Sequence, residues 1–258
     1  MKDSLDELFQ RVRACIGLVD GPAERGKKVS MGADGSPTTQ IDKLAENTVL
    51  TYLEEEGLEL NVLSEEIGFV DRGFDKTLVL DPIDGTFNSV IGVPLYTVSM
   101  AIGSGSLRGI ERAYIRNLST GDLYYAEEGK GAYLNDERVR SRRGATLGDM
   151  EMAMYLGNGT HPEVFKLMRS VRRVRAYGCA SIEMALVGTG ALDAFLMNSE
   201  QVNKRIRVVD IAASHLFLRE AGGEVYTLDG ELMDMPLDLD SRSNFLAVGD
   251  PTHKEVLL

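Results

Sequence analysis

The stretch Leu78-Val79-Leu80-Asp81-Pro82-Ile83-Asp84-Gly85-Thr86 decides how the rest of the chain is read. Its apolar run reads as a buried strand that delivers two carboxylates to its C-terminal end, and Gly and Thr follow where a helix begins. Strand ends and helix starts are where α/β proteins place charged ligands. Two acids three residues apart with Pro82 between them suit a cation better than a packed core.

Outward from that stretch, residues 60–63 form a short expected strand ending in Ser64-Glu65-Glu66, and residues 77–80 the next, ending in Asp81. Upstream, Ser4 and Glu7 make a capping-box signature. Leu5, Leu8, Val12, Cys15, Ile16 and Val19 then recur at helical spacing until Gly21-Pro22 ends the helix. Residues 26–37 are polar and Gly-rich and read as a mobile loop. A second helix is expected from Thr38 or Thr39 to Gly57, with Asp42 in its first turn, where an acid complements the helix dipole. The functional alternative for Asp42 is to accept a proton from Thr86, a contact that spacing leaves open. Residues 96–102, 110–115 and 123–126 read as an antiparallel meander. Past the basic stretch 138–144, strands and helices alternate to residue 248. The expected organisation is an α+β domain over 1–140 carrying most of the acids, then an α/β domain over 141–258.

Composition narrows the chemistry. Forty Asp and Glu against 28 Lys and Arg leave a formal net charge of -12 over 258 residues. That argues against nonspecific binding to nucleic acid or anionic membrane, but not against binding phosphate through metal ions. The start has no apolar signal core and no later run is long enough to span a bilayer, so a cytoplasmic protein without a membrane partner is expected. Cys15 and Cys179 match no zinc or redox spacing and are expected as free thiols. The three histidines show no ligand spacing. An oxygen-ligand site for a hard cation is therefore easier to build here than a zinc site.

Glu65, Glu66, Asp81, Asp84 and Asp210 each fall at an expected strand end or helix start. Convergence would make their repulsion severe, relieved by protonation or by a divalent metal. Singly, each has an ordinary explanation: a solvated turn for Glu65-Glu66, helix capping for Asp84 and Asp210, a strand-end turn for Asp81. The whole Asp-Pro-Ile-Asp-Gly-Thr string is much harder to explain by turn chemistry. Lys204, Arg205 and Arg207 precede Asp210, and Arg172, Arg173 and Arg175 precede Tyr177-Gly178. A solvated surface is the default for such runs, and a bidentate fork on a second phosphate is the functional alternative.

Three strings together resemble the inositol monophosphatase family of metal-dependent, lithium-sensitive sugar phosphatases. They are Val62-Leu63-Ser64-Glu65-Glu66, Asp81-Pro82-Ile83-Asp84-Gly85-Thr86, and Val209-Asp210-Ile211-Ala212-Ala213 through Glu220-Ala221-Gly222-Gly223. Asp34-Gly35-Ser36-Pro37-Thr38-Thr39-Gln40-Ile41-Asp42 and Gly178-Cys179-Ala180-Ser181-Ile182-Glu183 agree, in family order. The resemblance implies a layered αβαβα sandwich combining α+β and α/β parts, and a homodimer. It implies two or three Mg²⁺ held by Glu65, Asp81, Asp84, Asp210 and the Ile83 carbonyl, with the Asp34 loop as a candidate contact to the third. Thr86 would orient the nucleophilic water with Asp42 and Glu65, and the Gly85 and Thr86 amides would hold the phosphate. The chain is most similar to archaeal members acting on both inositol monophosphate and fructose 1,6-bisphosphate. By that likeness Asp84, Arg175, Ala180 and Arg205 face the substrate, a small phosphorylated sugar or polyol. There are departures: Ser89 and Val209 replace the family's usual Phe and Trp. Asn203 replaces a glutamate that contacts inositol, which argues against strict inositol specificity.

The mechanism this implies is direct hydrolysis by metal-activated water. Three alternatives stand beside it. A nucleotide phosphatase of the same family would act on 3′-phosphoadenosine phosphates or NADP. A haloacid-dehalogenase-type phosphatase also ends its signature in Asp-Gly-Thr, but needs Asp-x-Asp with a covalent Asp, and here Pro82 and Ile83 both intervene. A non-catalytic metal-binding protein would keep the acids and lose Thr86 or Asp42, and both are present.

Overall fold

A computed structural model describes residues 2–33 and 35–258. Helices α1 (Lys2–Gly17) and α2 (Gly21–Arg25) lead into an antiparallel hairpin of β1 (Lys28–Met31) and β2 (Pro37–Thr39), then α3 (Gln40–Glu55). Next come β3 (Asn61–Ser64), β4 (Gly68–Val70), β5 (Thr77–Asp84), α4 (Thr86–Ile91), β6 (Thr97–Gly103), β7 (Ile110–Asn117), β8 (Leu123–Glu127), β9 (Gly131–Leu134) and β10 (Glu137–Val139). These strands form one sheet in the order β10-β9-β8-β7-β6-β5-β3-β4, antiparallel except where β3 pairs β5. The rest of the chain supplies β11 (Glu151–Met154), α5 (Pro162–Met168), β12 (Arg173–Arg175), α6 (Ala180–Gly188), β13 (Ala194–Met197), α7 (Val208–Glu220), β14 (Glu224–Tyr226), β15 (Phe245–Val248) and α8 (Lys254–Leu257). Its five strands pair in the order β12-β11-β13-β15-β14.

Side chains alternate across a strand, and that alternation stacks the layers. Leu78 and Leu80 pack with Leu8 and Val12 of α1 and Ile41 and Val49 of α3. Val79, between them, points the other way, into the core shared with Ile182 of α6 and Ile211 and Leu216 of α7. The second sheet repeats the device. Phe195, Met197, Phe245 and Ala247 join that central core, whereas Leu196, Leu246 and Val248 turn outward with Met152 and Met154 toward Val164 of α5. The layers therefore run α/β/α/β/α, the sandwich expected. Every residue of α7 from Val208 to Leu218 is buried, so this helix is apolar all round rather than striped. Each fully buried aliphatic or aromatic side chain contributes roughly 1.5–3 kcal/mol by leaving water.

Two local expectations are corrected. Residues 26–37 contain most of an ordered hairpin: Gly32 donates to Ser36 O at 2.8 Å and Gly35 to Gly32 O at 3.1 Å, so the glycines make its turn rather than a slack loop. The first helix begins at Lys2, so Ser4 lies inside it and not at its cap, and a second short helix follows at Gly21-Pro22. The Asp34 contact to a third metal falls outside the described residues.

Candidate active site

Strand register brings the acids together. Because β3 runs parallel to β5 with Ser64 opposite Leu80, Glu65 and Asp81 leave the two strands side by side. On the other edge of β5, Asp81 lies opposite Ser99 and Asp84 opposite Thr97, so three steps of β5 match two of β6. In a regular strand, residues three apart face opposite sides. The irregularity adds one residue and returns Asp81 and Asp84 to the same face. Pro82 sits inside it, where a missing N–H is tolerated. Asp210 arrives from the first turn of α7, its Oδ2 accepting Arg207 N at 2.8 Å. One carboxylate oxygen from each of Glu65, Asp81 and Asp210 falls within 4.8 Å of the others.

Asp81 is 3% exposed, and its Oδ1 has no hydrogen-bond partner among the described residues. Burial, then repulsion from Glu65, Asp84 and Asp210, pushes its carboxyl well above the usual range against the pull of Arg207. A buried carboxylate oxygen without a partner, in an all-oxygen donor set, fits a hard divalent cation. Arg207 meets part of the charge. Its Nη1 lies 2.9 Å from Glu65 Oε1 and its Nη2 2.7 Å from Asp210 Oδ1. Desolvation alone would lower Arg207, but Asp210 and Glu65 overcome it and hold the guanidinium above its ordinary range.

Asp84 is held by the start of α6. Its Oδ2 accepts Ser181 N at 2.7 Å and Ser181 Oγ at 2.6 Å, and the Ser181 oxygen lies 2.8 Å from Thr97 Oγ1. With the Ser181 proton committed to Asp84, Thr97 is the donor to Ser181. Gly85 follows at φ 83°, and a Cβ there would stand 2.8 Å from Leu95 O, so the turn into α4 admits only glycine. Thr86 then places its hydroxyl 2.9 Å from Asp42 Oδ1 and 2.8 Å from Ile83 O. Asp42 Oδ2 accepts Thr39 N at 3.0 Å and Thr39 Oγ1 at 2.6 Å, so the start of α3 fixes the carboxylate that meets Thr86. Burial raises Asp42 above the usual range, opposed by the hydrogen bonds from Thr39 and Thr86.

Three cavities adjoin the acids. One of about 470 Å³ is lined by Asp42, Glu65, Thr86 and the hairpin residues Ser36 and Pro37. A second, about 430 Å³, has Lys204, Arg205, Arg207 and Arg242 facing Glu65 and Asp210. A third, about 580 Å³, is largely apolar, with Phe87, Tyr155, Tyr177 and Met197 around Asp84 and Ala180. Arg205 donates to Ser199 O at 3.2 Å from the wall of the second. Arg175 is exposed on β12, donates to Val174 O at 3.2 Å, and lines none of the three.

Sequence reading missed two buried carboxylates that brace these walls. Glu46 of α3 accepts Ser64 Oγ at 2.7 Å and Ile67 N at 2.9 Å, fixing the Glu65-Glu66 turn from both sides. Glu183 of α6 accepts Tyr177 N at 2.7 Å and so ties down the turn that leads to Cys179. The only signal for Glu183 was acidity inside an otherwise apolar helix, and Glu46, among the other charged residues of α3, gave none. Burial pushes Glu183 up to about 8 despite those amide donors. Its folded form thus holds a proton more tightly than the unfolded chain, so stability is fully present below the ordinary glutamate range and is lost as pH rises toward 8. Glu183→Gln removes that loss. In metal-free protein the wild type and the variant should unfold alike near pH 4.5, with the variant ahead by a few kcal/mol, about 2–4, near pH 8.5. Urea titrations at both pH values check this, and a gap of the same size at both would refute it.

The family model described as "Inositol monophosphatase family" matches residues 4–258. A fructose-1,6-bisphosphatase/inositol-1-monophosphatase of Methanothermobacter thermautotrophicus is 31% identical over 97% of this chain and 92% of its own length. A bifunctional NADP phosphatase/NAD kinase of Methanococcus maripaludis is 33% identical over 89% of this chain, which spans only 44% of that larger protein. A solved protein of Pyrococcus horikoshii with similarities to inositol-1 monophosphatase superposes with a TM-score of 0.83 at 31% identity, covering 97% of this chain and 94% of that one. A solved inositol monophosphatase–fructose 1,6-bisphosphatase gives a TM-score of 0.87 at 27% identity, over 100% and 99% of the two chains.

Proposed function

The chain belongs to the inositol monophosphatase family, and from that premise we propose that it is a Mg²⁺-dependent phosphomonoesterase acting on inositol 1-phosphate and fructose 1,6-bisphosphate, with water as the nucleophile. That it is a phosphatase, of a metal-dependent family, follows from the relatives. The observation that carries the finer reading is the buried Asp81 oxygen, without a partner among the described residues, beside Glu65 and Asp210 and one strand end away from the Thr86–Asp42 pair.

In this reading Glu65, Asp81, Asp84, Asp210 and the Ile83 carbonyl hold two or three Mg²⁺. Bound cations acidify water and neutralise phosphoryl charge. The chain's own part is alignment. Thr86 has one hydroxyl proton and two acceptors near it, Asp42 Oδ1 and Ile83 O; with the Ile83 carbonyl turned to metal the proton goes to Asp42, which leaves the oxygen lone pairs to accept a hydrogen bond from the attacking water. Asp42, raised by burial and anchored by Thr39, takes up the proton that this relay moves. Glu65 lines the same cavity and holds the water from its other side. The amides of Gly85 and Thr86 open α4 toward the phosphoryl oxygens. Arg205, with Lys204, meets a second phosphate across the neighbouring cavity. Ala180 and the aromatic wall beside it pack the sugar, and the leaving alkoxide takes a proton from water. A homodimer is part of the same proposal.

The third cavity favours one second reading. Its volume of about 580 Å³ and the faces of Phe87, Tyr155 and Tyr177 suit a stacked nucleoside ring, as an NADP phosphatase needs. Phosphate release from inositol 1-phosphate, fructose 1,6-bisphosphate and NADP, measured side by side with Mg²⁺, separates the two. Release from the sugar phosphates is the expected result, abolished by EDTA and restored by Mg²⁺. Release from NADP alone would move the assignment to the nucleotide. Turnover that survives complete metal removal would sink both.

A further inference from the structure

The guanidinium of Arg207 stands where a cation belongs. It reaches into the acid cluster from the N-terminal end of α7, with Nη2 and Nε on the two oxygens of Asp210 at 2.7 and 3.2 Å. Its Nη1 reaches Glu65 Oε1 at 2.9 Å. All three side chains are largely withdrawn from water, with 12% of Arg207, 19% of Glu65 and 12% of Asp210 exposed. Asp81 lies beside them, and its buried Oδ1 is without a partner among the described residues. One positive charge thus spans two of the three carboxylates and leaves the deepest for something else.

We infer that Arg207 is a counter-cation built into the chain, which holds Glu65 and Asp210 together in the metal-free protein and must give them up as divalent metal loads. The inference rests on the metal-dependent reading of the acid cluster. The reason is competition for the same carboxylates, with both oxygens of Asp210 already on the fork. Glu65 Oε1 and Asp210 Oδ1 are directed at the fork, and a dication taking those oxygens would stand within a few ångströms of a fixed positive charge in a site of low dielectric. The adjoining cavity of about 430 Å³, which Arg207 itself lines, gives the displaced side chain somewhere to go. Arg207 therefore opposes unloaded collapse and loading alike: it relieves repulsion when the site is empty of metal, and it raises the Mg²⁺ concentration needed to fill the site. An ordinary structural ion pair would stabilise both states equally.

That difference is the test. Thermal unfolding of Arg207→Gln and wild type is followed in EDTA and in saturating Mg²⁺, and Mg²⁺ affinity is measured by calorimetry. The expected result is a midpoint about 5 °C lower for the variant in EDTA and within about 1 °C of wild type in Mg²⁺. Mg²⁺ should bind the variant about tenfold more tightly. Arg207→Lys keeps the charge without the two-pronged fork and should fall between the two, so it carries the same test if the glutamine variant does not fold. Equal destabilisation with and without Mg²⁺, or unchanged or weaker Mg²⁺ affinity in the variant, overturns the inference. Wild-type protein that takes up no Mg²⁺ overturns the metal-dependent reading itself, a result distinct from either.

Discussion

Asp81→Asn is expected to lose turnover by about 10³-fold or more and, at the same time, to make the metal-free protein harder to unfold. The two effects come from one fact. Asp81 is held 3% exposed at the end of β5, facing Glu65, Asp84 and Asp210, with an oxygen that no donor reaches among the described residues. Without metal, that carboxylate is a liability: burial and its neighbours push it well above the usual range, and a neutral amide of the same shape removes the penalty. In the proposed reading, the same charge is what draws the cation in. Asparagine keeps an oxygen at the position but not the charge, so Mg²⁺ affinity should fall together with turnover. Calorimetry with Mg²⁺, initial rates at saturating Mg²⁺ and unfolding in EDTA read the three consequences on one sample. Retained turnover, or a metal-free variant less stable than wild type, would contradict this account of the cluster.

Thr86→Val should lower kcat by about 10²–10³-fold while leaving Mg²⁺ affinity within about twofold of wild type. Valine has the shape of threonine but cannot pass a proton between water and Asp42 Oδ1, the partner 2.9 Å away. The clustered oxygens of Glu65, Asp81 and Asp210, which hold the metal in the proposed reading, are untouched by it. Thr86→Ser retains the hydroxyl and should recover most of the rate. Asp42→Asn should fall to a similar level, and the double variant no further, because the two side chains act as one relay. The decisive comparison is kcat against Mg²⁺ affinity across the series. A rate loss that follows affinity loss would return Thr86 to a structural role at the start of α4, and fully additive losses would break the relay.

Much of this was legible in the sequence. The Leu78–Thr86 stretch announced a buried strand ending in acids, and the period-two alternation of Leu78, Val79 and Leu80 is the one that seats them between two helical layers. Thr39 and Asp42 announced the start of α3. The hairpin at residues 28–39 did not show through, because glycines that make a turn and glycines that loosen a loop leave the same composition behind. Glu46 and Glu183 did not show through either. A carboxylate inside a helix reads as exposed unless the turn whose amides it accepts is known to pack against it. Arg207 was visible only as one member of a basic run, and nothing in that run separated it from Arg205.

What the sequence determined by itself was which acids end an element, Glu65, Glu66, Asp81, Asp84 and Asp210, in a chain whose cysteines and histidines show no ligand spacing; that Ile83 joins four of them as a donor was implied by the family resemblance. What only the tertiary structure decided was their convergence and what balances it. Asp81 and Asp84 share a face because β5 gains one residue against β6, and Glu65 joins them because β3 is parallel to β5. Asp210 brings Arg207 with it from the far half of the chain. Spacing along a strand is a local property and fixes which groups reach an element's end. Register between strands and the docking of α7 are set by core packing across the whole chain, and these decide which charges face one another once water is gone.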